Sequence, residues 1–377
     1  MNERESRGPS AYSSAGVDYA VLDEGKRDAL TQALATSGLL VANGGHAIDE
    51  SRGEPAFAFE IGGQTFAFVV EGLGTKSMIA RAVEQELGFS GFGAVAYDTV
   101  AAIVNDLCCV GALPLVVNAY FATGASEWYT RRDRGADLLD GWREGCLAAG
   151  AVWGGGESPS LPGLLAADEI ELAGSAVGLV PTGRTPLLGA DLRPGDEIVI
   201  VASSGLHANG SSLARSIAAR SATGYATTLA DGRAFGVALL DRSVIYVELV
   251  RALLASDLEI HYLSHITGHG LLKLMRPRRE LSYTIERLPL VPPVLDHLVR
   301  ESGMSPSHAY STLNMGSGFA VYCAAGAGPG VVECAAAAGL SAHVAGRVGE
   351  GPRRVVLEEL GVVFESGDLD LTPRGGA

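Results

Sequence analysis

Residues 181–196, Pro-Thr-Gly-Arg-Thr-Pro-Leu-Leu-Gly-Ala-Asp-Leu-Arg-Pro-Gly-Asp, decide how this chain is organised. Each proline fixes φ and removes a backbone donor, and each glycine loosens the chain, so neither helix nor ladder runs through the stretch. It reads as a connection between domains. A chain of 377 residues is also too long for one ordinary core. The expected division is a flexible N-terminal arm over 1–20, a first domain over 21–182, and a second over 183–377 with a short tail.

Outward from that connection, strand and helix patterns alternate on both sides. Before it, Ala56–Ile61 and Thr65–Val70 flank Gly62-Gly63 as a hairpin, and Asp23–Ser37 reads as a surface helix. Phe92–Val110 and Glu127–Ala149 carry helical periodicity, Pro114–Ala122 and Glu169–Val180 read as strands, and Ala151–Trp153 is a short strand running into Gly154-Gly155-Gly156. Beyond it come strands at Glu197–Ala202, Leu281–Glu286 and Gly318–Cys323. Helices are expected at Ser211–Arg220, Ala234–Leu254, Pro293–Glu301 and Val331–Gly339. The fold class that follows is α/β (α+β), in two lobes.

Charge narrows the partners. Lys+Arg 28 against Asp+Glu 43 gives a net charge of −15. Such a surface repels nucleic acid and anionic lipid, so a phosphate-bearing ligand must be held locally, by metal or backbone amides. The five cysteines form no CxxC pair and no disulfide ladder, the N-terminus is polar, and no apolar run spans a bilayer. The expectation is a cytoplasmic protein.

Five segments carry chemistry. Glu71-Gly72-Leu73-Gly74-Thr75-Lys76 follows a strand: glycines let backbone amides approach phosphate oxygens, Lys76 offers a charge, and Glu71 can ligate magnesium. A plain tight turn reads the same way. Asn105-Asp106 lies near the end of the Phe92–Val110 helix, where an unpaired buried carboxylate would be costly; helix-end capping and metal ligation both fit. Gly154-Gly155-Gly156-Glu157 describes backbone brought close to a ligand, or a flexible loop with a solvated acid. Ser203–Gly210 (SSGLHANG) leads into a helix, with His207 as donor or proton shuttle, or with its polar residues merely as caps. His265–Gly270 (HITGHG) precedes another helical run, and its histidines are either ligand-facing or structural. There is no P-loop, no HExxH and no G-x-S-x-G elbow.

In this order, these segments resemble aminoimidazole ribonucleotide synthetase and its wider superfamily. That family shows DGVGTK, VND with GA.PL, FATG, GGETAEMPG, SSG[IL]HSNG, HITGGG and FNMG.G. Here stand Glu71–Lys76, Val104–Asp106 with Gly111–Leu115, Phe121–Gly124, Gly155–Gly163, Ser203–Gly210, His265–Gly270 and Leu313–Gly318, besides AGVD at Ala15–Asp18. The resemblance runs from about residue 12 through the second domain. It implies a two-lobed PurM-like architecture in which strands of the N-terminal lobe build a homodimer. It also implies ATP and Mg2+ between the lobes, a small-molecule substrate, and ATP-driven ring closure of formylglycinamidine ribonucleotide.

By the same resemblance, Glu71, Asp106 and Glu157 hold the metal. Gly72, Gly74, Thr75, Lys76, Gly155, Gly156, Glu157, Thr267, Gly268 and Asn314 contact the nucleotide, and His207, Asn209 and Lys76 take part in catalysis. The departures are Glu71 for aspartate, Ser160 for the second acid of GGETAEMPG, and His269 for glycine. Three cations usual in the family correspond to Ser13, Val244 and Ser311, which implies an acceptor with an altered or absent ribosyl phosphate. Two other readings stay open: a small-molecule kinase resembling thiamine-monophosphate kinase, and a non-catalytic regulatory dimer.

Overall fold

A computed structural model describes residues 19–369. The arm expected over 1–20 lies almost wholly outside them. The first lobe is built on a six-stranded sheet: β1 (Gly45–Ile48), β2 (Phe57–Ile61), β3 (Gln64–Gly72), β4 (Leu113–Thr123), β5 (Val152–Glu157) and β6 (Ile170–Leu179), in the order β1-β2-β3-β6-β4-β5. All neighbours are antiparallel except β4 and β5. The β2–β3 turn is the expected hairpin, and Gly62 and Gly63 both take positive φ (61° and 73°), which a two-residue turn of this twist requires.

Parity along the strands gives this sheet two unlike faces. Ala67, Val69, Val117, Ala119, Leu172 and Ala176 are buried against helices α2 (Lys76–Leu87), α3 (Phe92–Cys108) and α4 (Arg134–Ala149). The opposite face carries Phe57, Phe59, Phe66, Phe68 and Val70, with Phe59 stacked on Phe57 and Phe66. Val70 on this face is 62% exposed.

The second lobe holds a seven-stranded sheet of β7 (Glu197–Ala202), β8 (Ile260–His265), β9 (Leu281–Ile285), β10 (Ser317–Cys323), β11 (Ala342–Glu350), β12 (Arg354–Leu357) and β13 (Val362–Glu365), in the order β13-β12-β9-β11-β7-β10-β8. β10 is buried at every residue. Helix α5 (Ser211–Arg220) leaves the β7 loop as expected.

Two long helices predicted from sequence are each broken. Glu127–Ala149 divides into a 3-10 turn and α4, because Arg132 and Asp133 take positive φ (47° and 60°). Ala234–Leu254 divides into α6 (Phe235–Leu239) and α7 (Val247–Ala255). The segment between them is held by side chains of the other lobe: Asn105 donates to the Val244 carbonyl (2.8 Å) and accepts from the Tyr246 amide (2.9 Å). Residues 154–157, expected as a loop, belong to β5.

Candidate active site between the lobes

α3 packs on the first sheet and α4 and also reaches α7 and β8 of the second lobe, so its apolar residues are buried nearly all round. Its buried polar side chains must therefore find partners: Thr99 donates to the Val95 carbonyl of its own helix, and the other three find theirs across the lobe boundary. Asp98 accepts from the Ser243 amide (2.6 Å), Asn105 holds residues 244–246, and Asp106 accepts from His265 Nδ1 (2.6 Å). These contacts fix one lobe against the other around a cavity of about 840 Å³.

Two helix N-termini open on that cavity, one from each lobe. Gly72, Gly74 and Thr75 lead into α2, and Asn209, Gly210, Ser211 and Ser212 lead into α5. The hydroxyls of Thr75 and Ser212 meet at 3.1 Å. Unpaired amides at a helix start, with the helix dipole behind them, attract anions. Thr267, Gly268 and His269, with Lys273 and Arg276, also line the cavity.

Glu71 and Asp106, far apart in sequence, both line it and lie close enough in the fold to interact. Burial pushes the Glu71 carboxyl up to about 8, and the Asp106 charge adds to it. Burial also acts on Asp106, but the His265 hydrogen bond and charge, with Lys273 and Arg276, outweigh it and hold this carboxyl at about 2. Burial and the neighbouring Asp106 charge both favour the protonated form of Glu71, while the cations around Asp106 favour its ionised form. Two carboxylates on a phosphate-sized cavity suit magnesium, which takes one or two acids and completes its shell with water and substrate phosphate. Among the described residues no group of three acidic, histidine or cysteine side chains forms a cage.

Several residues expected at the site lie elsewhere. Lys76 is fully buried, ion-paired with Asp98, and donates to the His207 carbonyl (2.7 Å); it does not line the cavity. The His207 ring is buried behind the loop, its Nε2 accepting the amides of Ser204 (3.2 Å) and Val244 (3.4 Å), and burial holds its pKa well below the usual range. It is a neutral acceptor rather than a proton shuttle. Asn314 is spent on loop 203–206: it accepts from Ser203 (2.8 Å) and donates to Gly205 (2.9 Å).

Gly155, Gly156 and Glu157 sit on edge strand β5 and line no part of the cavity. Gly156 is explained by packing, since a Cβ there would come 2.1 Å from the Ala119 carbonyl oxygen. The Glu157 side chain shares the outer face with Tyr120, whereas Glu71 stands on the inner face.

Sequence reasoning missed the site's cations. Lys26 and Arg27 from helix α1 (Tyr19–Leu34) and Lys273 and Arg276 from the turn after HITGHG all line the cavity. Of the three positions where the family's cations are missing, Ser13 lies outside the described residues and Val244 and Ser311 do not line the cavity, so its positive charge comes from other sequence positions. Periodicity gave no signal for them, because a surface helix and a 3-10 turn carry basic residues routinely.

Comparison with known proteins bears on the family and the fold. Residues 53–180 match the AIR synthase related protein N-terminal domain and residues 193–358 its C-terminal domain. The phosphoribosylformylglycinamidine cyclo-ligase of Methanothermobacter thermautotrophicus is 32% identical over 349 residues, covering 92% of this chain and 96% of that protein. The enzyme of the same name from Nitrosococcus oceani is 36% identical over 255 residues, 67% of each chain. Among solved structures, the hydrogenase maturation protein HypE in complex with ATP superposes with a TM-score of 0.59 at 17% identity, covering 82% of this chain and 86% of that one, a likeness of fold. With both lobes matched in order and the Methanothermobacter relative covered nearly end to end, the chain belongs to the AIR synthase related family of ligase enzymes.

Proposed function

We propose that the interlobe cavity binds ATP with magnesium and activates a carbonyl or amide oxygen of a small substrate by phosphorylation, after which a nitrogen of that substrate closes a ring. The observation that carries this reading is the convergence of two helix N-termini and the Glu71–Asp106 pair on one cavity. The γ-phosphoryl group leaves ADP and bonds to the acceptor oxygen; nitrogen then bonds to the activated carbon as the C–O bond breaks and inorganic phosphate departs. Such a reaction needs positioning and charge stabilisation rather than a protein nucleophile. The amides at the starts of α2 and α5 hold phosphate oxygens, and Thr267, Asn209 and the nearby cations orient the remaining groups. Glu71 and Asp106 would hold magnesium, which supplies charge neutralisation between the phosphates.

Formylglycinamidine ribonucleotide, or a relative of it, is the proposed acceptor, since the curated relatives carry that cyclo-ligase name. The exposed aromatic face of the first sheet is the proposed homodimer surface: a contiguous apolar patch of this kind marks an interface. The test is an incubation with ATP, magnesium and this acceptor. Equal yields of ADP, free phosphate and cyclised product are expected. ADP with a stable phosphorylated product and no free phosphate would move the assignment to a kinase, and no binding of magnesium–ATP by calorimetry would remove it altogether.

A further inference from the structure

The most completely buried cation of the first lobe is spent on a backbone carbonyl of the second. Lys76 has 0% exposure, lies at the first residue of α2, pairs with Asp98 on α3, and donates to the carbonyl of His207 at 2.7 Å. Asp98 in turn accepts the Ser243 amide at 2.6 Å. His207 sits at φ 56°, a left-handed conformation that a non-glycine residue keeps only when its surroundings insist on it. Its ring and its carbonyl are both tied, the ring to the amides of Ser204 and Val244 and the carbonyl to Lys76. Ala208, Asn209, Gly210, Ser211 and Ser212, which come directly after it, form one edge of the cavity.

We propose that Lys76 is a positioning residue. Its buried ammonium, neutralised by Asp98, pins the His207 carbonyl and thereby aims the backbone of residues 208–212 and the start of α5 into the cavity as a preset anion-binding edge. The charge never meets the ligand; it acts through the loop. This deepens the nucleotide reading above and rests on it, because an anion at the α5 N-terminus is what the edge would hold. Presetting the loop removes an ordering cost that binding would otherwise carry.

The test compares wild type with Lys76→Met, Lys76→Arg and the double variant Lys76→Met/Asp98→Asn, the last leaving no uncompensated buried charge. Hydrogen exchange without ligand, read at residues 205–212, is the direct measurement. The double variant is expected to keep its cooperative melting transition while these amides exchange at least tenfold faster than in the wild type and those of β10 exchange as in the wild type. Its magnesium–ATP affinity, by calorimetry, is expected to fall about tenfold or more. Lys76→Arg, which keeps a donor, is expected to restore part of the protection.

Unchanged exchange at 205–212 in a folded double variant overturns the proposal, whether or not nucleotide binds. So does a loss of protection spread evenly over the second lobe, which is what a merely structural role gives. Failure of the wild type to bind magnesium–ATP overturns the functional reading instead, and the exchange result still decides the positioning role.

Discussion

Two strand ends in the first lobe share a composition and differ in what they do. β3 ends in Glu71-Gly72 and β5 in Gly155-Gly156-Glu157, each a strand running into glycine and an acid. Glu71 is level with Gly174, Ala119 and Gly156 across the sheet, on the face that meets α3, so its carboxyl reaches Asp106. Glu157 is one residue out of phase with that row. It therefore points to the other face, on a strand separated from β3 by two others, about 14 Å away at the usual strand spacing. A single step of strand parity separates a carboxylate in the interlobe cavity from one at an exposed sheet edge.

The sharpest way to break this contrast is to neutralise the inner pair. Asp106→Asn is expected to weaken magnesium–ATP binding by about 100-fold, or about 2.8 kcal/mol, in a calorimetric titration. It also removes the negative charge that faces His265, so a melting curve should be run beside it. An affinity within threefold of wild type would detach the pair from the ligand.

The outer face is challenged next. Phe68→Asp places a charge among the phenylalanines of this face at a residue that does not line the cavity. Light scattering at micromolar concentration is expected to shift from dimer to monomer. An unchanged mass would assign this face to something other than self-association.

A pH series separates Glu71 from Asp106. Glu71, with its carboxyl at about 8, must lose its proton to ligate a cation, so affinity for magnesium–ATP should fall about tenfold per unit below that value. One proton should appear in solution per binding event, read as a dependence of binding enthalpy on buffer ionisation. For stability the sign is opposite to the usual carboxylate: the folded state holds the Glu71 proton more tightly than the unfolded chain. Its contribution is therefore present below about 4.5 and is lost as pH rises towards 8. Glu71→Gln should flatten that slope. The smallest effect is expected at Glu157, where Glu157→Gln should leave affinity within threefold; a tenfold loss would show that a second copy brings this acid to the cavity.

Much of the architecture was legible before any coordinates. The β2–β3 hairpin and the bounds of α5 follow from glycine and periodicity, because those signals act within a few residues. The breaks at 132–133 and 240–246 were not legible. The first turns on positive φ at two ordinary residues, and the second on Asn105, over a hundred residues away, taking up the backbone groups that a continuous helix would use.

The candidate site divides in the same way. Residue types and their order marked Glu71, Asp106, Thr75, Asn209, Thr267 and Gly268, all of which line the cavity. Local sequence carries no information on where a side chain of the other lobe will meet a given loop, so Lys76, His207 and Asn314 looked like ligand-facing residues and became internal supports. The cations at Lys26, Arg27, Lys273 and Arg276 were invisible for the same reason. What the amino-acid order alone determined is which backbone segments turn sharply and which strands have an apolar side, since both depend on neighbours in the chain. Which charges face the cavity and which are consumed in holding it open was decided only by tertiary packing, because burying a charge forces it to take whatever partner the second lobe presents.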